Sequence, residues 1–146
     1  FSLVRRILSD QPPADLSAEL LRPTRIYVPS ILGLLRKVTV KGMAHITGGG
    51  LVENVVRVLP AGAEAIINAG SWPVPPIFGL IRQAGSVAEA EMVRTFNLGI
   101  GFVVIVGREE APLAAKILAD AGEKVYTIGR IASGEQAVRI EGRVFP

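Results

Sequence analysis

The 146-residue chain has no cysteine and a single histidine, His45. The first absence excludes disulfides, thiol nucleophiles and cysteine-held metals, and the second excludes a zinc site built from several imidazoles. Charge is scarce, with Asp, Glu, Lys and Arg at 20% of residues, and aromatics supply only 5%. Long apolar runs are missing too. The longest, counting glycine, is Leu98–Gly107 at ten residues, about half of the roughly 20 needed to span a bilayer. No charged-then-apolar secretion signal opens the chain. Membrane insertion is therefore not expected, and the lack of cysteine suits a cytoplasmic protein. No basic run is interleaved with aromatics, so nucleic acid is not an expected partner.

What is present is apolar surface. Hydrophobic residues make up 49% of the chain and the mean hydropathy is +0.42. For one small domain this is a surplus, predicted to face a partner subunit or a neighbouring domain. The chain begins Phe1-Ser2-Leu3-Val4 without methionine, which leads to the same expectation of a larger protein. Sixteen basic and thirteen acidic residues give a net charge of +3. Seven basic and three acidic residues fall at or before Lys41, a lopsidedness that favours an anionic ligand.

Periodicity divides the chain into an arm, residues 1–37, and a single core domain, residues 38–146. Leu3, Val4, Ile7 and Leu8 are spaced as on a helix over Phe1–Ser9. A proline-containing loop covers Asp10–Pro23, with one short turn at Ser17–Leu21; Thr24–Val28 is extended and Ser30–Lys37 a short helix. A regular alternation then predicts a strand over Val40–Thr47, a helix over Leu51–Leu59 and a strand over Ala63–Ala69. Two helices follow, Pro76–Ala84 and Val87–Thr95. The apolar run Ile100–Val106 predicts a central strand buried on both faces. A helix over Pro112–Ala121 ends at Gly122, and Val125–Ala132 and Gln136–Glu141 read as a hairpin around Ser133-Gly134. The expected fold is α+β: a mixed sheet in a split βαβ, ferredoxin-like pattern, with helices packed on it.

Two junctions carry candidate chemistry. In Ala44-His45-Ile46-Thr47-Gly48-Gly49-Gly50-Leu51 a strand runs through three glycines into a helix. Glycines permit close backbone approach, and free amides at the start of a helix attract an anion, with phosphate the natural guest. Thr47 adds a hydroxyl, and His45 offers a hydrogen bond or a proton shuttle. The same glycines would equally serve a tight turn, since neither the Gly-Lys-Ser/Thr ending of a P-loop nor GxGxxG spacing is present. Likewise His45 would equally serve as a structural histidine, Glu53 as a cap of its own helix, and Arg57 as a plain surface charge. The second junction is Thr95-Phe96-Asn97-Leu98-Gly99-Ile100-Gly101, where Asn97 either holds a ligand or caps a helix in left-handed geometry. Gly99 and Gly101 there leave one strand face bare for another backbone or a ligand. Arg22–Val28 suits an interface or a ligand lid, and Trp72, in a proline-rich corner, suits packing or an interface.

Pro23-Thr24-Arg25-Ile26-Tyr27-Val28, Ala44-His45-Ile46-Thr47-Gly48-Gly49-Gly50 with Glu53-Asn54, Arg57-Val58-Leu59-Pro60, Trp72-Pro73, and Arg94-Thr95-Phe96-Asn97 with Gly99 and Gly101 together resemble the C-terminal half of the aminoimidazole ribonucleotide synthetase family, the phosphoribosylformylglycinamidine cyclo-ligases. The likeness runs from Phe1 to about Glu141. It implies a parent enzyme that uses ATP and Mg2+ to close the imidazole ring of formylglycinamidine ribonucleotide in purine biosynthesis. It also implies that the nucleotide is held mainly by an N-terminal ATP-binding domain, and that the full enzyme is a homodimer. Carried over by position, His45 is the catalytic candidate; Thr47, Gly48, Gly49, Gly50 and Asn97 are the substrate-phosphate candidates. No metal site, and no cofactor held by this domain alone, is implied, so the isolated domain is expected to be inactive. One departure stands out: Pro29 occupies a position where the family usually has lysine. The alternatives are a sister ATP-dependent enzyme such as formylglycinamidine ribonucleotide synthetase, and a non-catalytic phosphate-ligand binding module.

Overall fold

The computed structural model describes Val4 and residues 19–145. The helix expected over Phe1–Ser9, and most of the loop expected over Asp10–Pro23 with its turn at Ser17–Leu21, fall outside them. Val4 itself is buried with Ile81, Met92 and Leu98. The described elements are α1 (Val28–Leu35), β1 (Val40–His45), α2 (Gly50–Val55) running into a 3-10 turn at Val56–Val58, and β2 (Ala63–Asn68). Then come α3 (Pro76–Ala84), α4 (Glu89–Thr95), β3 (Phe102–Val106), α5 (Ala111–Asp120), β4 (Gly129–Ser133) and β5 (Ala137–Glu141). The fold is α+β, with helices packed on mixed strand pairing. Among the described residues no helix is long and apolar enough to cross a membrane.

The five strands divide between two sheets. β1 pairs antiparallel with β3, while β2 lies between β4, antiparallel, and β5, parallel. Each strand of the first strand–helix–strand unit therefore pairs with strands from the second half. The run that forms β3 packs on both faces: Val103 and Ile105 meet the cluster around Leu51, Ala65 and Trp72, and Val104 and Val106 meet the cluster around Leu34 and Leu118. It is not central, however, because β1 is its only described partner. An unbroken apolar run reports covered faces and says nothing about paired edges.

The expected hairpin is also absent. β4 and β5 flank β2 instead of pairing, so Ser133 and Ala137 sit opposite Ala63 and Glu64 of the same intervening strand. The Gly134–Gln136 connection crosses the end of β2, held where the Gly134 amide donates to the Gly62 carbonyl (3.0 Å) and the Gln136 side chain to that of Leu59 (2.7 Å). A three-residue link is short enough for a hairpin and still long enough to step over one strand, about 4.8 Å to each side.

The core positions the site. Ala44, Ile46, Leu51, Val55, Ile67, Trp72 and Ile100 form one buried cluster, each large aliphatic contributing about 2 kcal/mol of burial free energy. Val74 and Ile140 pack on both this cluster and that of Ile81, Met92 and Leu98. The Trp72 indole N–H donates to the buried Leu98 carbonyl at 2.9 Å, which satisfies the only polar atom of its ring. The proline-rich corner is thus a packing feature.

Candidate functional site

Antiparallel pairing brings the end of β1 beside the start of β3. His45 is opposite Phe102, and one step further the Ile46 amide donates to the Gly101 carbonyl at 2.9 Å. Both candidate junctions therefore leave the sheet at the same end. Gly50 locks them together. Its φ is +56°, and a Cβ there would strike the backbone carbonyls of Val93 and Phe96, the latter at 2.8 Å. Only glycine lets α2 approach the carbonyl end of α4 this closely. Across the same contact, Arg94 and Glu53 form an ion pair at 3.0 Å, so Glu53 bridges two helices instead of capping its own.

The glycine turn is held from beneath. Asn54 is buried, and its side-chain amide donates to the carbonyls of Gly48 (3.1 Å) and Gly50 (2.8 Å). The Gly50 amide closes on the Thr47 carbonyl at 3.1 Å. Gly49, at φ +94°, turns the chain. Gly48 differs from its neighbours: its φ is not positive and a Cβ there would meet nothing within 4 Å. Thr47 and Gly48 are exposed at the surface of the turn. Arg57 is an exposed charge, as its simpler reading had it.

Asn97 both resembles and departs from a helix cap. Its side-chain oxygen accepts the Gly99 amide at 3.1 Å, but the left-handed residues are Leu98 (φ +52°) and Gly99 (φ +96°), not Asn97. The oxygen is used in turn formation. The bare face expected at Gly99 and Gly101 is covered by the chain itself. A Cβ on Gly99 would meet the Pro75 ring at 2.6 Å, and one on Gly101 would strike the Tyr27 hydroxyl.

His45 is exposed and belongs to an aromatic trio. Its ring centroid lies 5.9 Å from that of Tyr27 and 6.1 Å from that of Phe102, the latter nearly parallel. Together with Arg25, Ile26, Val28, Ile31 and Leu32 these rings line a depression of about 340 Å³. A larger groove of about 1300 Å³ runs past the unpaired edge of β3 and residues 122–131, with Lys41, Arg108, Lys124 and Arg130 among its lining, but it includes neither His45 nor the glycine turn. The arm is fastened by a group that sequence reasoning missed. Glu123 accepts from Arg25 (2.6 Å) and from the Ser30 hydroxyl (2.6 Å), and Arg25 also donates to the Gly122 carbonyl (2.7 Å). Burial, and next the negative charge of Glu123, raise the Tyr27 phenol above its ordinary pKa, with Arg25 opposing. Nothing local flagged Glu123, since its partners lie 93 and 98 positions away. Among the described residues no three carboxylate or histidine side chains gather where a cation could sit.

Residues 1–141 match the family described as AIR synthase related protein, C-terminal domain. The chain is 51% identical over 145 residues to a phosphoribosylformylglycinamidine cyclo-ligase of Burkholderia pseudomallei (strain 1710b), covering 93% of this chain and 41% of that protein. It is 45% identical over 153 residues to one of Brevibacillus brevis (strain 47), covering 97% of this chain and 44% of that one. The chain thus spans well under half the length of the curated relatives it matches. Two solved structures share the fold. One is HypE, a hydrogenase maturation protein of E. coli, with a TM-score of 0.68 at 23% identity over 96% of this chain and 43% of that one. The other is thiamine-monophosphate kinase from Stenotrophomonas maltophilia K279a, with a TM-score of 0.66 at 16% identity over 98% of this chain and 47% of that one.

Proposed function

The chain belongs to the family of AIR synthase related C-terminal domains, and we propose that it serves as the C-terminal part of an ATP-dependent phosphoribosylformylglycinamidine cyclo-ligase. The parent closes the imidazole ring of formylglycinamidine ribonucleotide in de novo purine biosynthesis, as a cytoplasmic homodimer. The observation that carries this reading is the junction of the two loops: Gly50 seated against Phe96 sets the Thr47–Gly50 turn beside Asn97 at one sheet end.

ATP with Mg2+ would supply activation of the amide oxygen as a phosphate ester. Among the described residues no carboxylate set gathers that would suit the cation; no step on this chain is routed through it, and the resemblance assigns nucleotide and metal to the N-terminal part. This chain's own work is binding and orientation. The exposed turn at Gly48 and Gly49 offers backbone amides to the substrate phosphate, and Thr47 adds a hydroxyl donor. The Asn97 NH2 donates to the same ligand while its oxygen stays fixed by Gly99. His45, held between the Tyr27 and Phe102 rings and open to solvent in this chain, accepts or delivers a proton at the reacting nitrogen. The isolated domain is inactive under this reading.

The test is His45→Ala in the full-length parent. Turnover is expected to fall about a hundredfold, with stability lowered by only about 1 kcal/mol through the lost ring contacts to Tyr27 and Phe102. Normal turnover would remove His45 from the chemistry.

A further inference from the structure

Among the described residues nine large hydrophobic side chains are exposed, and six of them, Leu21, Ile26, Val28, Leu32, Leu35 and Met43, fall between positions 21 and 43. Three of them share one depression. Ile26, Val28 and Leu32 line the depression that also holds His45 and Phe102. Met43 is two residues from His45 on the same face of β1, and Leu35 lies one turn beyond Leu32 on α1. Ile26 is 78% exposed and Leu32 51%, a cost that a soluble surface does not normally bear in one patch.

Charge narrows what covers it. From Leu20 to Val52 there is no Asp or Glu, while Arg22, Arg25, Arg36, Lys37 and Lys41 are interspersed with the apolar residues. Arg25 is engaged by Glu123 and Arg22 by Glu19 at 3.2 Å, which leaves Arg36, Lys37 and Lys41 as the further cations of this stretch. A second copy docking about a two-fold axis would set these cations against themselves, and like charge across an interface is strongly unfavourable. The complement is an apolar surface edged with carboxylates. We propose that this face, from the arm across α1 to β1, is the seat of the parent enzyme's remaining portion, which lies outside this chain and makes up more than half of such a protein. The inference rests on the reading of the chain as part of a cyclo-ligase. Seated there, that portion borders His45 directly.

The chain's two methionines provide the test. Met43 is 40% exposed and Met92 is fully buried, so peroxide oxidation followed by mass spectrometry reads the patch and the core separately. Met43 is expected to oxidise about fivefold more slowly in the full-length parent than in the 146-residue chain, with Met92 resistant in both. Equal Met43 rates overturn the proposal. So does a Met43 equally slow in both, with the 146-residue chain sedimenting as a dimer, which assigns the face to a second copy. Where Met92 oxidises in the shorter chain, the comparison moves inside the full-length protein. There Leu32→Asp is expected to speed Met43 oxidation about fivefold while Leu113→Asp, exposed on α5, leaves it unchanged; no rise with Leu32→Asp overturns the proposal. A ring-closure assay on the same parent separates the two readings. Activity with Met43 unprotected removes the docking face alone, and protection without activity removes the enzymatic reading alone.

Discussion

The three consecutive glycines are predicted to respond unequally to alanine, and the inequality separates architecture from ligand contact. At Gly50 the left-handed φ of +56° costs an L-residue about 1 kcal/mol. The new methyl also meets the backbone carbonyls of Val93 and Phe96, which yield only if α2 and α4 part, adding about 2–3 kcal/mol of overpacking. Gly50→Ala should therefore lose roughly 3–4 kcal/mol, a fall in Tm on the order of 10 °C for a chain of this size. At Gly49 the backbone penalty is similar, and the new methyl meets the Glu53 carboxylate at 2.6 Å, which can swing away, and the Glu53 Cβ at 2.7 Å, which moves only with the first turn of α2. About 2–3 kcal/mol is expected. Gly48 has neither a positive φ nor a neighbour within 4 Å, so Gly48→Ala should be neutral or slightly stabilising through the unfolded state, by about 0.5 kcal/mol. Urea denaturation followed by circular dichroism measures all three. Equal losses at Gly48 and Gly50 would refute this account of the turn. If Gly48→Ala keeps full stability yet weakens substrate binding in the parent enzyme, the contact is with ligand and not with the fold.

Asn54→Leu keeps the branching of the side chain but withdraws the donor to the Gly48 and Gly50 carbonyls, and should cost about 2 kcal/mol in the same denaturation assay. Full stability would mean that the turn does not depend on it. The Tyr27 phenol, raised by burial and by Glu123, binds its proton more tightly folded than unfolded. The stability it contributes is thus complete below the unfolded tyrosine value of about 10 and declines as pH rises above it. In a Tyr126→Phe background, phenolate absorbance should appear at higher pH than in a free tyrosine, and Glu123→Gln should bring it down. An unmoved titration in Glu123→Gln would contradict the assigned cause.

Much of this was legible along the chain. Pro76–Ala84 was located to the residue because prolines open it and the apolar spacing carries through. The glycine turn and Asn97 were visible as two motifs whose residue types permit ligand approach. Their meeting was not, because it depends on the antiparallel register of β1 and β3 and on Gly50 fitting against a distant helix end. The same limit explains the missing hairpin. Ser133-Gly134 carries a turn signal, but β2, which parts the two strands, is supplied from 60–70 positions earlier. The bare face read from Gly99 and Gly101 was legible as a place of close approach but not as to its occupant: glycine does not name what approaches, and here it is Tyr27 and Pro75 of the same chain. Composition counts apolar residues without placing them: among the described residues, six of the nine exposed large ones fall on the arm, α1 and β1.

The most direct test is to express the full-length parent and supply formylglycinamidine ribonucleotide, ATP and Mg2+. The account predicts aminoimidazole ribonucleotide, ADP and phosphate in equal amounts, with none formed by the 146-residue chain alone. A folded parent that hydrolyses no ATP with this substrate and forms no imidazole would contradict it.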